Sequence, residues 1–253
     1  MTNPNTQDHT DAFYVNWANG FQQLGIDPTF PMKAAMHESE ARAQAWNHAS
    51  NTVGLIQFTP ETLKYLGFPG TYRDMQGLTA AQQIPWVLKF YKPYAAYIKS
   101  PALAYVLTYL PSLVKEASES PLGNDFVLAQ DGGKLSWAYN ANPGFDHGKK
   151  GFITVGDLQQ TIDSATKGAR WDEIQVRLQS AIDGKTPLVP PQKIAGNPPA
   201  IQPTPAGTEP YIHVSTGAVL TNVIEANQRT FLVGGAALLL GYLGYQYYKR
   251  QNL

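Results

Sequence analysis

Apolar side chains recur along this chain at helical spacing, and that pattern outlines a run of short helices. Phe13, Tyr14, Trp17, Phe21 and Leu24 fall on one stripe, with Thr10 placed to cap its start and Gly25 to close its end. Thr29-Phe30-Pro31 opens a second helix, with proline early in the first turn, and the pattern predicts that it runs on to Trp46. Asn47 to Val53 is polar and turn-like, and Gly54 lets the backbone come close before Leu55, Ile56, Gln57 and Phe58. Thr59-Pro60 then starts a short helix that Gly67 can end. Thr79 and Gln82 have capping-box spacing ahead of a helix carrying Trp86, Val87, Phe90, Tyr94 and Tyr97, expected to bend or break at Pro85 and Pro93. Ser100-Pro101 starts another helix from Ala102 to Leu110, stopped by Pro111. A polar loop follows, then a helical piece from Gly133 to Tyr139, and finally a helix with Trp171, Ile174, Leu178 and Ile182 on one face before Gly184. The reading is mainly α, with one domain over residues 1–185.

The pattern changes after Lys185. Residues 186–210 are rich in proline and lack periodic hydrophobicity, as expected of a stiff linker that could reach about 75 Å at ~3.1 Å per residue. Residues 211–230 read as a short amphipathic or irregular juxtamembrane segment. Phe231 to Tyr248 is almost wholly apolar, and at ~1.5 Å per residue it reaches roughly 27 Å, close to a bilayer core of about 30 Å. Arg229 stands before it, Lys249 and Arg250 after it, and Tyr242, Tyr245, Tyr247 and Tyr248 crowd one end. This predicts one C-terminal transmembrane helix at 231–248 inserted in a lipid bilayer, with a short basic tail at 249–253. A buried core helix or a partner-binding helix is the alternative. The first ten residues have neither a basic start nor an apolar run, so no secretory signal is expected there.

Charge narrows the function classes. The 253 residues carry 19 basic and 19 acidic side chains, only 15% charged, so no global field draws the chain to nucleic acid. Cysteine is absent, which excludes disulfides, thiolate zinc sites and a cysteine nucleophile. His37, His48 and His147 form no metal-ligand spacing.

The candidate chemistry lies between Met36 and Thr62. At ~100° per helical residue, Ala34, Ala35, Ala41 and Arg42 are expected to flank Glu38, while Glu40 lies about 200° round the axis as a solvated residue. Small neighbours leave room beside Glu38, and desolvation there would raise its pKa toward the range of a general acid. On its own a helical glutamate is more often exposed than catalytic. Here it has company. Glu38-Ser39, then Gly54-Leu55-Ile56-Gln57-Phe58-Thr59-Pro60, then Ala138-Tyr139-Asn140-Ala141-Asn142-Pro143-Gly144 resemble, in order, three elements of the lytic transglycosylases of the soluble, lysozyme-like type.

That resemblance covers about half the chain, from Phe30 to Leu158. It implies a lysozyme-like helical catalytic domain that cuts the glycan strands of peptidoglycan with neither metal nor other cofactor. It also implies that Glu38 acts first as acid and then as base. The muramic acid C6 hydroxyl would attack in place of water and leave a 1,6-anhydro product, a tethered nucleophile replacing the second carboxylate of most glycosidases. Ser39 would help position the leaving group or the acid, Gln57 would line the sugar subsites, Tyr139 would reach back near Glu38, and Asn140 would support that wall. For Gln57 and Asn140, turn-stabilising hydrogen bonds are an equal alternative. The chain departs from the family at Ile56, Phe58 and Asn142, which affects the subsite shape.

Asp146 to Asp157 has the outline of a calcium loop, with acids at its first and twelfth positions, glycine at the sixth and isoleucine at the eighth. Gly148 and Lys150 stand at the third and fifth positions, where oxygen ligands belong, so a metal-free turn that keeps the geometry is expected. Such a tract is similar to one in phage-associated transglycosylases, implying a virion enzyme with other virion proteins as partners. It would be membrane-anchored and act on the host periplasmic wall during phage entry. Two alternatives stay open: a hydrolytic muramidase pairing Glu38 with Asp131 or Asp146, and a non-catalytic wall-binding membrane protein.

Overall fold

The computed structural model describes residues 9–185. The linker, the juxtamembrane segment, the expected span at 231–248 and the tail lie outside the described residues. Among the described residues no helix is long and apolar enough to cross a membrane.

The fold is mainly α, and its elements start where local chemistry starts them. Helix α1 (Asp11–Gln23) is capped by the Thr10 hydroxyl, which accepts the Phe13 amide, and it buries Phe13, Tyr14, Trp17 and Phe21 completely. Helix α2 (Thr29–Ser39) follows a turn in which the Trp17 indole donates to the Pro28 carbonyl at 3.0 Å. A two-residue hairpin comes next, β1 (Trp46–Asn47) against β2 (Thr52–Val53), and then α3 (Pro60–Tyr65), capped by Thr59. Helices α4 (Tyr72–Gln76) and α5 (Ala80–Tyr91) both open on capping boxes, Thr71 with Asp74 and Thr79 with Gln82. Helix α5 is not broken at Pro85. It continues to Tyr91 and only then tightens into a 3-10 turn, Lys92–Tyr97, at Pro93.

Helix α6 (Pro101–Tyr109) is the centre of the molecule, with every residue from Ala102 to Tyr109 buried. It packs against α2 on one side and α9 (Val155–Ala165) on another. A helix buried along its length has no solvent face to keep, and each fully buried Val or Leu contributes ~1.5–3 kcal/mol. The segment expected as a polar loop after Pro111 contains α7 (Val114–Glu119) and a strand, β3 (Val127–Gln130). Strand β3 pairs antiparallel with β4 (Phe152–Thr154), with Ala129 opposite Ile153 and an irregularity between Val127 and Ala129. Helix α8 (Ser136–Ala141) begins three residues later than the expected Gly133, because Leu135 adopts a left-handed conformation and Gly133 is used in a turn onto the Gln130 carbonyl. Helix α10 (Ala169–Ile182) packs on α1 through Trp171, Ile174 and Leu178.

One helix is shorter than its pattern predicts. Instead of reaching Trp46, α2 stops at Ser39, because Glu40 and Ala41 both take left-handed backbone with φ near 54° and 53°. The Ala41 amide turns back onto the Ala35 carbonyl at 2.9 Å, and the Glu40 carbonyl accepts the Arg170 guanidinium from α10, Nε at 2.7 Å with Nη2 beside it. Ala41 and Arg42 therefore do not flank Glu38 as helical neighbours.

Candidate active site

Glu38 sits in the last turn of α2 and is 2% exposed. Neither carboxyl oxygen has a hydrogen-bond partner among the described residues. Burial pushes its pKa up to about 8. The Thr108 hydroxyl is near enough to oppose that shift, but it donates to the Tyr105 carbonyl at 2.9 Å and leaves the carboxyl unsatisfied. Glu38 thus holds its proton at neutral pH. Around it, Tyr91 and Tyr105 are raised by burial and secondarily by the Glu38 charge, so both stay neutral donors. The Tyr105 hydroxyl is itself buried without a partner among the described residues. Next door, burial lowers His37 to about 4, and its Nε2 is also buried with no partner among the described residues while the ring stands edge-on to Tyr105 at 4.6 Å. Glu40, by contrast, is exposed beside Arg42.

Ser39 links two segments of the site. Its hydroxyl donates to the Leu55 carbonyl at 2.8 Å, with Ala35 O at 3.2 Å sharing the proton, and it accepts the Arg42 amide at 3.2 Å. This ties the acid's helix to the Gly54–Gln57 turn. Gln57 is buried, with φ near 53°; it takes the Thr52 hydroxyl on Oε1 at 2.9 Å and donates from Nε2 to the Gly54 carbonyl at 3.1 Å. Its amide holds the turn, the alternative open in the sequence.

The residue that organises this region most is one the motifs do not contain. Gln83 on α5 is fully buried, accepts the Leu55 amide at 2.9 Å, and donates to the Ala43 carbonyl at 2.7 Å and the Met75 carbonyl at 3.0 Å. Gly54 has φ near 82°, and a Cβ there would stand 2.4 Å from Gln83 Oε1, so both the backbone and the close approach require glycine. The available signal was a glutamine in core register with Val87, Phe90 and Tyr91 on the apolar face of α5.

The third motif reaches the site through α6. Tyr109 donates to the Ala138 carbonyl at 3.0 Å, and Asn142 Nδ2 reaches the same oxygen at 3.3 Å. Phe145, edge-on to Tyr105 and Tyr109, lies 5.9 Å from the His37 ring. Tyr139 is half-buried, and its hydroxyl donates to Asp146 Oδ2 at 3.1 Å instead of bonding Glu38. Asn140 is exposed. Burial alone would push Asp146 toward its neutral form, but the amides of Lys150 and Gly151 and the Tyr139 hydroxyl outweigh it and hold the carboxyl below its ordinary range. Asp131 is exposed. Among the described residues no cluster of three or more His, Asp or Glu side chains could hold a metal ion. An open hollow of about 460 Å³ bordered by Gln22, Asp27, Gln179 and Ile182 shares no residue with this site.

Comparisons of the chain with protein-family models, with curated proteins and with solved structures return no match.

Proposed function

We propose that the protein is a peptidoglycan lytic transglycosylase of lysozyme-like fold, cleaving the MurNAc-GlcNAc β-1,4 bond with formation of 1,6-anhydromuramic acid. What supports this reading is one buried carboxyl that favours its neutral form, on the first of three motif segments that the fold links to one another. Ser39 joins the first to the second, and α6 joins the third to α2 through Tyr109 and Tyr105.

Glu38, neutral at the pH of a cell wall, donates its proton to the glycosidic oxygen as the bond to the muramic acid C1 breaks. The resulting carboxylate then takes the proton of the C6 hydroxyl as that oxygen closes on C1. The balance is one proton given and one recovered, with no water consumed. A carboxyl whose environment favours its neutral form is suited to the first half, and a strong base in an apolar pocket is suited to the second. Glycan binding has to bring the carboxyl, closed off in this state, into contact with sugar. Asp146, committed to two amides and a tyrosine, and Asp131, exposed, are poorly suited as the second acid of a hydrolytic muramidase.

The proposal extends to a virion-associated, membrane-anchored enzyme that opens the host wall locally during phage entry. That part rests on residues 231–248 and on the tract at 146–157. Mass analysis of muropeptides released from purified sacculi tests the reaction. Anhydromuropeptides from the wild type and none from Glu38→Gln are expected; reducing-end products would establish a hydrolase, and release of no muropeptides by either protein a non-catalytic wall binder.

A further inference from the structure

The tract from Asp146 to Asp157 keeps several features of a cation-binding loop, and a lysine of its own reaches its last residue. Gly151, at the sixth position, takes the left-handed turn with φ near 81°. Ile153, at the eighth, is fully buried and pairs with Ala129 across the β3–β4 ladder. The two terminal acids turn inward. Asp146 Oδ1 accepts the Lys150 amide at 2.9 Å and Oδ2 accepts the Gly151 amide at 2.8 Å. Asp157 closes a capping box, accepting the Thr154 amide and hydroxyl at 2.7 Å each.

Lys150 occupies the fifth position, and its ammonium reaches both oxygens of the twelfth residue, Asp157 Oδ1 at 2.9 Å and Oδ2 at 2.7 Å, a two-point contact like that of a bidentate carboxylate on calcium. The same ammonium lies 4.9 Å from the centre of the Phe152 ring. Asp146, at the loop's other end, holds the Tyr139 hydroxyl.

We propose that the Lys150 ammonium is the resident cation of this loop, taking the place a divalent ion would occupy, and that the loop so closed fixes Tyr139 through Asp146. The wall bearing the third motif is then set by the chain itself and is indifferent to divalent ions. That Tyr139 lines a glycan site rests on the transglycosylase reading. The tests below use no activity, so the two ideas can fail separately.

Thermal melting of the full chain reads the first consequence. Neither EDTA nor calcium chloride at about 5 mM, above the weakest affinities of such loops, should move the wild-type midpoint. Lys150→Met should lower it by about 3 °C for a domain of this size. Tyr139→Phe should then cost visibly less in the Lys150→Met background than in the wild type, because the two act through one connected network. The converse variant, Gly148→Asp with Lys150→Asp, restores oxygen ligands at the third and fifth positions. It should gain aromatic-sensitised terbium luminescence and a midpoint that rises with calcium. It also decides the matter if Lys150→Met does not fold. The proposal is overturned by a wild-type midpoint that falls in EDTA, by a Lys150→Met protein that melts like the wild type, by additive effects of Lys150→Met and Tyr139→Phe, or by a double variant that takes up neither ion.

Discussion

Ser39 and Leu55, sixteen positions apart, are joined by a hydroxyl-to-carbonyl hydrogen bond of 2.8 Å that fixes the end of the acid's helix to the glycine turn. Removing it leaves a buried carbonyl without its donor, a loss of about 1–3 kcal/mol. Ser39→Ala should therefore lower unfolding stability by that amount in urea titrations, with the slope of the transition unchanged. Ser39→Thr, which keeps the hydroxyl, should recover much of it.

Gly54 faces a stricter demand. A methyl group there meets Gln83 Oε1 at 2.4 Å on a backbone with φ near 82°. Relief would require Gln83 to give up its bond to the Leu55 amide, so Gly54→Ala should destabilise by roughly 2–3 kcal/mol, the left-handed penalty plus the lost bond. Gln83→Ala should be similarly damaging, and in the double variant the losses should fall short of their sum. Chemical denaturation of all three variants measures this.

Glu38 and His37 pull the pH dependence of stability in opposite directions. Glu38 is raised from its ordinary value of 4.5 to about 8 by burial, so the native state binds more protons than the unfolded one between those limits. Its contribution is fully present below about 4.5 and is lost as pH rises through about 8, a fall of roughly 3–5 kcal/mol. His37 is lowered from 6.5 to about 4, so its contribution is present above 6.5 and is lost as pH falls through about 4. The two slopes offset each other between about 4.5 and 6.5, where stability should be nearly flat, and Glu38 alone governs the decline above it. Melting midpoints across pH should lose the alkaline decline in Glu38→Gln. In His37→Phe, stability should instead climb steadily as pH is lowered from 8 to 4.5.

The same proton governs activity in the proposed reaction. The alkaline limb of kcat/KM on sacculi should have an apparent pKa near 8, reporting Glu38 in the free protein. A limb near 4.5 would mean that the acid is not this residue.

Local chemistry made much of the fold readable. The Thr10 cap, the Thr79 and Gln82 box, the Thr59-Pro60 start and the faces of α1 and α10 are each decided within a few residues. What was not readable depends on distant partners. Nothing near Glu40 says that α2 must stop there, because Arg170, which holds its carbonyl, comes 130 positions later. Strand β3 is four residues long and is defined by its pairing with β4, not by its own pattern. In the site, the placing of Glu38 on a helix of small residues was legible. For Gln57 the tie within its turn was one of two readings left open; the task of Ser39 as an internal tie, the hub at Gln83 and the Tyr139–Asp146 bond were not legible, because each is settled by which distant partner the fold brings within hydrogen-bond reach.

The grip of Arg170 on the end of α2 has a consequence for how the protein comes into being. During synthesis the segment bearing Glu38 emerges before the guanidinium that binds the carbonyl at the end of its helix, 130 positions later in the chain. A nascent or truncated chain ending before α10 would contain all three motif segments and still lack the bonds from Arg170 that hold the end of α2, so this end of the helix is fastened only once α10 has been made.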